Sequence, residues 1–154
     1  MHAITIRIDD LHGPEVAALL QEHLDGVASV TPMRSRHALN LDELRQSGIT
    51  LWTAWSGTDI AGCAALRELD AARAELKSMR TTKRFLRRGV GSALLEHIIA
   101  EARQRGYRRL SLESGVFEYF VPAHRLYHKF GFQPCEPFEG YVADPNSIFM
   151  TLTL

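Results

Sequence analysis

The sequence lacks several features that would place it in a special class of protein. It has only two cysteines in 154 residues, Cys63 and Cys135, and its 18 basic side chains balance its 18 acidic ones. Two thiols far apart in the chain are typical of reduced cysteines rather than of a disulfide framework. A net charge of zero provides no overall attraction to nucleic acid or to an anionic membrane. We therefore expect neither of these as a partner.

Long hydrophobic runs and linkers are missing as well. No apolar stretch approaches the roughly 18 residues that indicate a membrane-spanning helix. The first residues do not show a basic segment followed by an apolar one, so we expect a cytoplasmic protein. No repeat or low-complexity linker divides the 154 residues, a length that suits one domain. We expect a single domain over residues 1–154.

The apolar residues follow the periods of strands and helices in turn. Alternating segments predict strands, and an apolar stripe with a spacing of three to four residues predicts helices. The order of these elements indicates one α/β domain, with weak patterning over residues 26–40. The predicted strands are 2–8, 49–55, 60–66, 74–79, 110–113, a segment from 132, and 148–154. The predicted helices begin at 14, 41, 89 and 122, and Asn40 is the expected N-cap of the second.

A basic turn lies between the predicted strand 74–79 and the predicted helix that begins at residue 89. Residues 80–88 contain five cations and no carboxylate. Arg87 and Arg88 are unfavourable beside the positive end of a helix dipole unless an anion joins them. Gly89 and Gly91 have no Cβ, so the backbone there can approach a phosphate closely. The turn therefore predicts a site for a small polyanion, and a solvated basic surface is the alternative.

Two common phosphate loops do not fit this turn. A Walker loop needs a lysine before its serine or threonine, whereas Gly91 is followed directly by Ser92. The dinucleotide fingerprint needs a third glycine where Leu94 stands, inside a doubly wound unit that the mixed order of strands does not provide. A different type of phosphate cradle is needed.

The same turn resembles a known motif. Residues 88–95 (RGVGSALL) resemble the acetyl-CoA-binding motif of the GNAT superfamily of N-acetyltransferases, Gln/Arg-x-x-Gly-x-Gly/Ala, although Leu86 occupies the Gln/Arg position. Residues 123–132 (AHRLYHKFGF) resemble the superfamily segment Ala-x-x-Leu-Tyr-x-x-x-Gly-Phe. Residues 75–81 (ELKSMRT) and 135–150 are similar to bacterial YsnE-type acetyltransferases. Together these segments extend the resemblance over essentially the whole chain.

The resemblance implies a fold and a reaction. The fold is a GNAT-like acyl-CoA N-acyltransferase fold: a mixed, mostly antiparallel central sheet of six to seven strands with about four helices. The strand ending at Met79 would splay from the strand starting near Leu110. Acetyl-CoA would be the cosubstrate, bound in that opening without a metal. The residues implied to bind it are Met79, Arg80, Thr81, Arg87, Arg88, Gly89, Val90, Gly91 and Ser92.

The implied reaction transfers an acetyl group to a primary amine of a small molecule or peptide. The amine would attack the thioester directly in a ternary complex, so the enzyme needs acid–base groups and no nucleophile. A non-catalytic acyl-CoA sensor is the alternative. A second copy of the chain, in a homodimer, is a further possible partner.

Three residues are candidates for the proton transfers. Glu75 is the first choice as general base, and a surface salt bridge with Lys77 is its alternative role. Glu113, at the end of the facing strand, is the second choice. Tyr127 matches the superfamily tyrosine beside the CoA sulfur, and a phenol with a pKa of about 10 can protonate a thiolate.

Other polar residues have weaker indications. Ser35 and His37 lie in the weakly patterned stretch that helps wall the acceptor site in this superfamily, so they are candidates for contacting the acceptor, and stabilising the loop is their alternative role. His124 and His128 share a helix face as zinc ligands do, but the chain offers no third ligand at a suitable spacing. We therefore expect no metal.

Overall fold

The computed structural model describes residues 3–154, so the predicted strand position at His2 lies outside the described residues. The strands are β1 (Ile4–Ile8), β2 (Ile49–Ser56), β3 (Asp59–Glu68), β4 (Arg73–Thr81), β5 (Arg109–Gly115), β6 (Gln133–Pro134) and β7 (Ser147–Thr153). The helices are α1 (Pro14–Val30), α2 (Leu41–Leu44), α3 (Val90–Gln104) and α4 (Val121–Lys129). Among residues 3–154, no helix combines the length and apolar character needed to cross a membrane.

The strands form one mixed sheet in the order β1-β2-β3-β4-β5-β7-β6. Only the β4–β5 pair is parallel among the described strands, and every other pair is antiparallel. The predicted fold class is therefore confirmed, with seven strands and four α-helices.

The alternation of side chains along the strands divides the core between two faces of the sheet. Leu66 and Leu76 lie in the larger cluster, which packs beneath α3 and α4. Cys63 and Ala65 lie in the smaller cluster beneath α1 and α2. Cys63 is buried as expected, and burial raises the pKa of its thiol to about 12, so the thiol stays protonated.

A bulge interrupts β4 in its second half. Cys63 of β3 pairs with Arg80, and Ala65 pairs with Lys77, so two residues of β4 oppose a single residue of β3. Ser78 adopts a left-handed conformation with φ of 52°, and its carbonyl accepts the Cys63 thiol at 3.2 Å. Bulges bend the strand that carries them. The end of β4 is thereby turned from the direction of its first half.

The bulge lies where β4 and β5 part. These strands pair only over three positions, the last of which joins Glu75 to Ser111. Beyond Ser111, β5 remains paired with β7 as far as Gly115. The predicted splay is therefore present, and it opens a V-shaped cleft in the middle of the sheet.

The sequence pattern predicts where α1 and α2 begin, and the structure shows where they end. α1 continues to Val30, into the stretch where we found little pattern. Residues 26–30 include Gly26 and Ser29, which carry no strong helical signal, yet the helical ladder continues until the Thr31 N–H donates to the Val27 carbonyl at 3.0 Å. α2 ends at Leu44, and Asn40 caps its start with a capping box as predicted.

We predict that Gly62→Ala destabilises the bulge. A Cβ on Gly62 would lie 2.7 Å from the Arg80 carbonyl oxygen, and a backbone neighbour cannot rotate away. We expect a loss of about 1–3 kcal/mol in the free energy of unfolding, which corresponds to a melting temperature lower by roughly 2–4 °C per kcal/mol. Thermal unfolding followed by circular dichroism measures this shift. A wild-type melting temperature would show that β3 and β4 do not approach this closely.

Candidate active site

A cleft of about 460 Å³ opens where β4 and β5 diverge. Its walls come from residues 76–81 of β4, from residues 113–115 at the end of β5, and from the first turns of α4. The C-terminal half of α1 and residues 31–38 close the other side. The cleft therefore passes through the sheet, so each face contributes side chains to it.

The start of α3 borders this cleft, because Gly91 approaches Leu126 and Met79, which line it. Gly89 is its N-cap, with a left-handed φ of 80°, and makes no side-chain cap. The Ala93 N–H donates to the Gly89 carbonyl at 3.0 Å and so begins the helical ladder. The N–H groups of Val90, Gly91 and Ser92 therefore have no acceptor within the helix. Since the first turn also has no acidic residue, this end of α3 is free to receive an anion.

Four of the five cations of the basic turn stay beside this helix start. Lys83, Arg84, Arg87 and Arg88 are exposed. Arg87 has a left-handed φ of 62°, and Arg84 pairs with Asp59 at 3.0 Å. The side chain of Arg80 instead turns to the α1 face of the sheet, where it donates to Glu22 at 2.8 Å and to Tyr119. Arg80 can therefore offer only its backbone to a phosphate here.

Tyr127 and Glu113 face the same cleft from two elements. Tyr127 of α4 is buried, and its pKa is raised to about 12, mainly by burial and then by the charge of Glu113. Glu113 lies near the end of β5, on the side that faces the cleft. Its carboxylate accepts a hydrogen bond from the Ser147 hydroxyl at 2.7 Å and lies 3.3 Å from Nδ1 of His37. The site thus combines a phenol that keeps its proton at neutral pH with a nearby carboxylate.

Glu75 occupies a different position from the one expected for a general base. Its side chain is 1% exposed, and its carboxylate accepts the Tyr141 hydroxyl at 2.6 Å. Lys77 lies 3.4 Å away and Arg67 3.6 Å away. The alternative salt bridge with Lys77 is present, but it is buried and does not lie on the surface. Lys77 lines the cleft, whereas Glu75 lies behind it.

The two expected acceptor contacts have different surroundings. The Ser35 hydroxyl donates to Asp144 at 2.6 Å and accepts from the Asn146 amide at 3.3 Å, so it ties two loops together at the cleft. His37 lines the cleft, with its ring edge-on to Tyr141 at a centroid distance of 5.1 Å. His37 is the better placed of the two to meet a bound molecule.

The structure adds two cleft residues that sequence reasoning missed. His23 of α1 lines the cleft, and its pKa is lowered to about 4 by burial and then by Arg80 and Lys77. His23 continues the stripe of Val16 and Leu20 at helical spacing, which could have indicated a histidine on the core side. Tyr119 lines the cleft opposite α1, and only the fold brings it to Arg80.

Comparison with known proteins agrees with this architecture. Residues 15–132 match the acetyltransferase (GNAT) family. The chain is 54% identical over 149 residues to an uncharacterized N-acetyltransferase, YsnE, of Bacillus subtilis, covering 97% of this chain and 99% of the relative. It is 32% identical over 151 residues to an IAA acetyltransferase of Azospirillum brasilense, covering 97% of each.

A solved structure shares the fold. A GNAT family acetyltransferase from Elizabethkingia anophelis, with acetyl-CoA bound, aligns with a TM-score of 0.70 and 21% identity, over 98% of each chain. The family match and these relatives identify the chain as an acyl-CoA-dependent N-acetyltransferase. The chain belongs to the acetyltransferase (GNAT) family, and within it is similar to the YsnE type.

We predict that Glu113→Gln lowers the pKa of Tyr127. Removing the negative charge makes the phenolate less unfavourable, while burial, the larger cause, keeps the pKa above its ordinary value. Carbon NMR of labelled tyrosine during a pH titration measures this, with Tyr127→Phe to assign the signal. Glu136→Gln, at an exposed position, is the control and leaves the titration unchanged. An unmoved Tyr127 titration in Glu113→Gln would contradict the proximity of the two groups.

Proposed function

We propose that the protein transfers the acetyl group of acetyl-CoA to a primary amine of a small molecule or peptide, by direct attack in a ternary complex. The observation that carries this proposal is the continuity of the cleft. It extends along β4 to the walls that hold Tyr127 and Glu113, and the uncapped start of α3 borders it where Gly91 approaches Leu126 and Met79. One extended ligand with a phosphate end and a thioester end matches that arrangement.

In this proposal the CoA pyrophosphate lies against the N–H groups of Gly89–Ser92. Arg87 and Arg88 supply positive charge without being part of the helix ladder. The pantetheine arm follows the edge of β4 that β5 leaves unpaired, at the backbones of Met79–Thr81, as an added strand would. The acetyl group then lies near the narrow end of the V.

The chemical step needs one base and one acid. Glu113 takes a proton from the ammonium of the acceptor, directly or through water. The freed nitrogen attacks the thioester carbonyl, so a C–N bond forms and the carbonyl becomes an oxyanion. Its collapse breaks the C–S bond, and Tyr127 gives its proton to the departing CoA thiolate. The nitrogen loses its second proton as the amide forms, and through water this proton restores the Tyr127 phenol. Glu113 releases the first proton to solvent.

The geometry favours Glu113 over Glu75 as the base. Glu113 lines the cleft with Tyr127, whereas Glu75 is enclosed by Tyr141, Lys77 and Arg67. We assign Glu75 a positioning role: it holds Lys77 at the cleft wall. His37, 3.3 Å from Glu113, orients that carboxylate and contacts the acceptor, while Ser35 keeps the surrounding loops in place.

We predict that Glu113→Gln and Tyr127→Phe each lower kcat by at least about 100-fold, the usual contribution of a positioned acid or base. Affinity for CoA stays within twofold, because neither side chain is at the phosphate end. The measurement is thiol release from acetyl-CoA over a panel of amines that also contains IAA, with CoA affinity from calorimetry. Glu136→Gln is the control at an exposed carboxylate. CoA binding without thiol release from any acceptor would contradict transfer and favour the sensor.

We predict that Gly89→Ala weakens CoA binding and that Gly106→Ala does not. Both glycines have left-handed φ values, 80° and 87°, and an added Cβ meets no atom within 4 Å at either position. Each substitution therefore costs a similar backbone strain of about 1–2 kcal/mol. Gly106 follows the C-terminal end of α3, so it controls for that strain. Equal CoA affinity in both variants would place the phosphates elsewhere.

A further inference from the structure

The wall where β4 meets the end of α1, joined by the hydrogen bond from Arg80 to Glu22, carries buried polar atoms that have no partner among the described residues. These atoms are Oγ1 of Thr31, Oγ of Ser78 and Nε of Arg80. Thr31 is 5% exposed and Ser78 is 7% exposed, and all three residues line the cleft. A buried polar group without a hydrogen bond is costly, so native structures rarely keep several together. Three in one wall indicate that a bound molecule supplies their partners.

The same wall is rich in donors and positive charge. Each of the three free groups can donate a hydrogen bond. The ammonium of Lys77 lies beside them, with Tyr141 at 2.8 Å and Glu75 at 3.4 Å as its partners. An ammonium has three N–H groups, so one remains for a ligand. The two terminal nitrogens of Arg80 likewise donate to Glu22 and Tyr119, and its Nε has no partner among the described residues.

Neighbouring groups decide the charge of this wall. Burial and then the charges of Arg80 and Lys77 lower the pKa of His23 to about 4, so His23 adds no charge near neutral pH. Glu22 pairs with Arg80 and the buried Glu75 pairs with Lys77, and neither carboxylate lines the cleft. Among the described residues, the carboxylate that lines the cleft is Glu113 on β5. The cleft is therefore bordered by hydrogen-bond donors and two paired cations on the β4 side and by a carboxylate on the β5 side.

We propose that the acceptor is a primary amine that also carries a carboxylate, as an amino acid does. Its carboxylate binds the donor wall formed by Thr31, Ser78, Lys77 and Arg80, and its amine faces Glu113. This proposal rests on the transfer reaction proposed above and names its class of acceptor. A polyamine would place a second cation against Lys77 and Arg80, and an uncharged amine would leave the buried donors unpaired.

The test compares acceptors that differ only in the carboxylate. The pairs are L-phenylalanine with phenethylamine and L-leucine with isopentylamine, each assayed by thiol release from acetyl-CoA. We expect the carboxylated member of at least one pair to have a kcat/KM at least about tenfold higher, mostly through a lower KM. Equal kcat/KM values within both pairs, or a preference for the plain amines, would overturn the proposal while leaving the transfer reaction standing.

Variants of the donor wall test the assignment of residues. Arg80→Gln and the double variant T31V/S78A should each lower the ratio of kcat/KM for the carboxylated acceptor to kcat/KM for the plain amine at least about tenfold. Arg73→Gln is the matched control, because Arg73 lies on the same strand and pairs with Asp70 and Glu139 outside the cleft. An equal change in kcat/KM for both members of a pair would show a structural effect and overturn the assignment.

A binding measurement separates this proposal from the reaction on which it rests. Calorimetry of N-acetyl-L-phenylalanine and N-acetylphenethylamine against the CoA-loaded protein needs no turnover. We expect the carboxylated product to bind at least about tenfold more tightly, and the difference to disappear in T31V/S78A. That preference without any thiol release would refute the transfer reaction and support the carboxylate site. Equal affinities would overturn the site.

Discussion

The separation of β4 from β5 is the constraint on which the site depends. Two adjacent strands that paired along their full length would close the sheet and leave no cleft. Here the pairing stops at Glu75 and Ser111, and the bulge at Ser78 bends the rest of β4 away. The Cys63 thiol donates to the Ser78 carbonyl and so stabilises the bulge. Gly62, which has no Cβ, leaves room for the Arg80 carbonyl. The backbone thus supplies both the opening and an unpaired strand edge along it.

The buried charges around Glu75 illustrate a second physical requirement of the site. A buried ion pair is weak evidence for stability, because desolvation offsets much of its attraction. Glu75 nonetheless gathers Lys77, Arg67 and the Tyr141 hydroxyl into one network. Its effect is to hold an ammonium at the cleft wall and to attach the loop of Tyr141 to the sheet. We regard the network as support for a binding surface rather than for the core.

The sequence predicted the features that arise from local patterns. The apolar stripe of α3 and the glycine at its start identified the helix and its uncapped end, since both depend on neighbours within a few residues. Motif resemblance made Tyr127 a candidate, and strand positions made both carboxylates candidates. The sequence could not show that Glu75 is enclosed, because that depends on Tyr141, 66 residues from Glu75 in the chain. The direction of the Arg80 side chain likewise follows from distant partners, Glu22 and Tyr119.

The most direct test of the account is a crystal structure of the protein with CoA. We expect the pyrophosphate oxygens to lie within about 3.2 Å of the backbone N–H groups of Gly89–Ser92, and the sulfur to lie in the cleft beside Tyr127. A complex with the diphosphate at another surface, or with the sulfur outside the opening between β4 and β5, would contradict it.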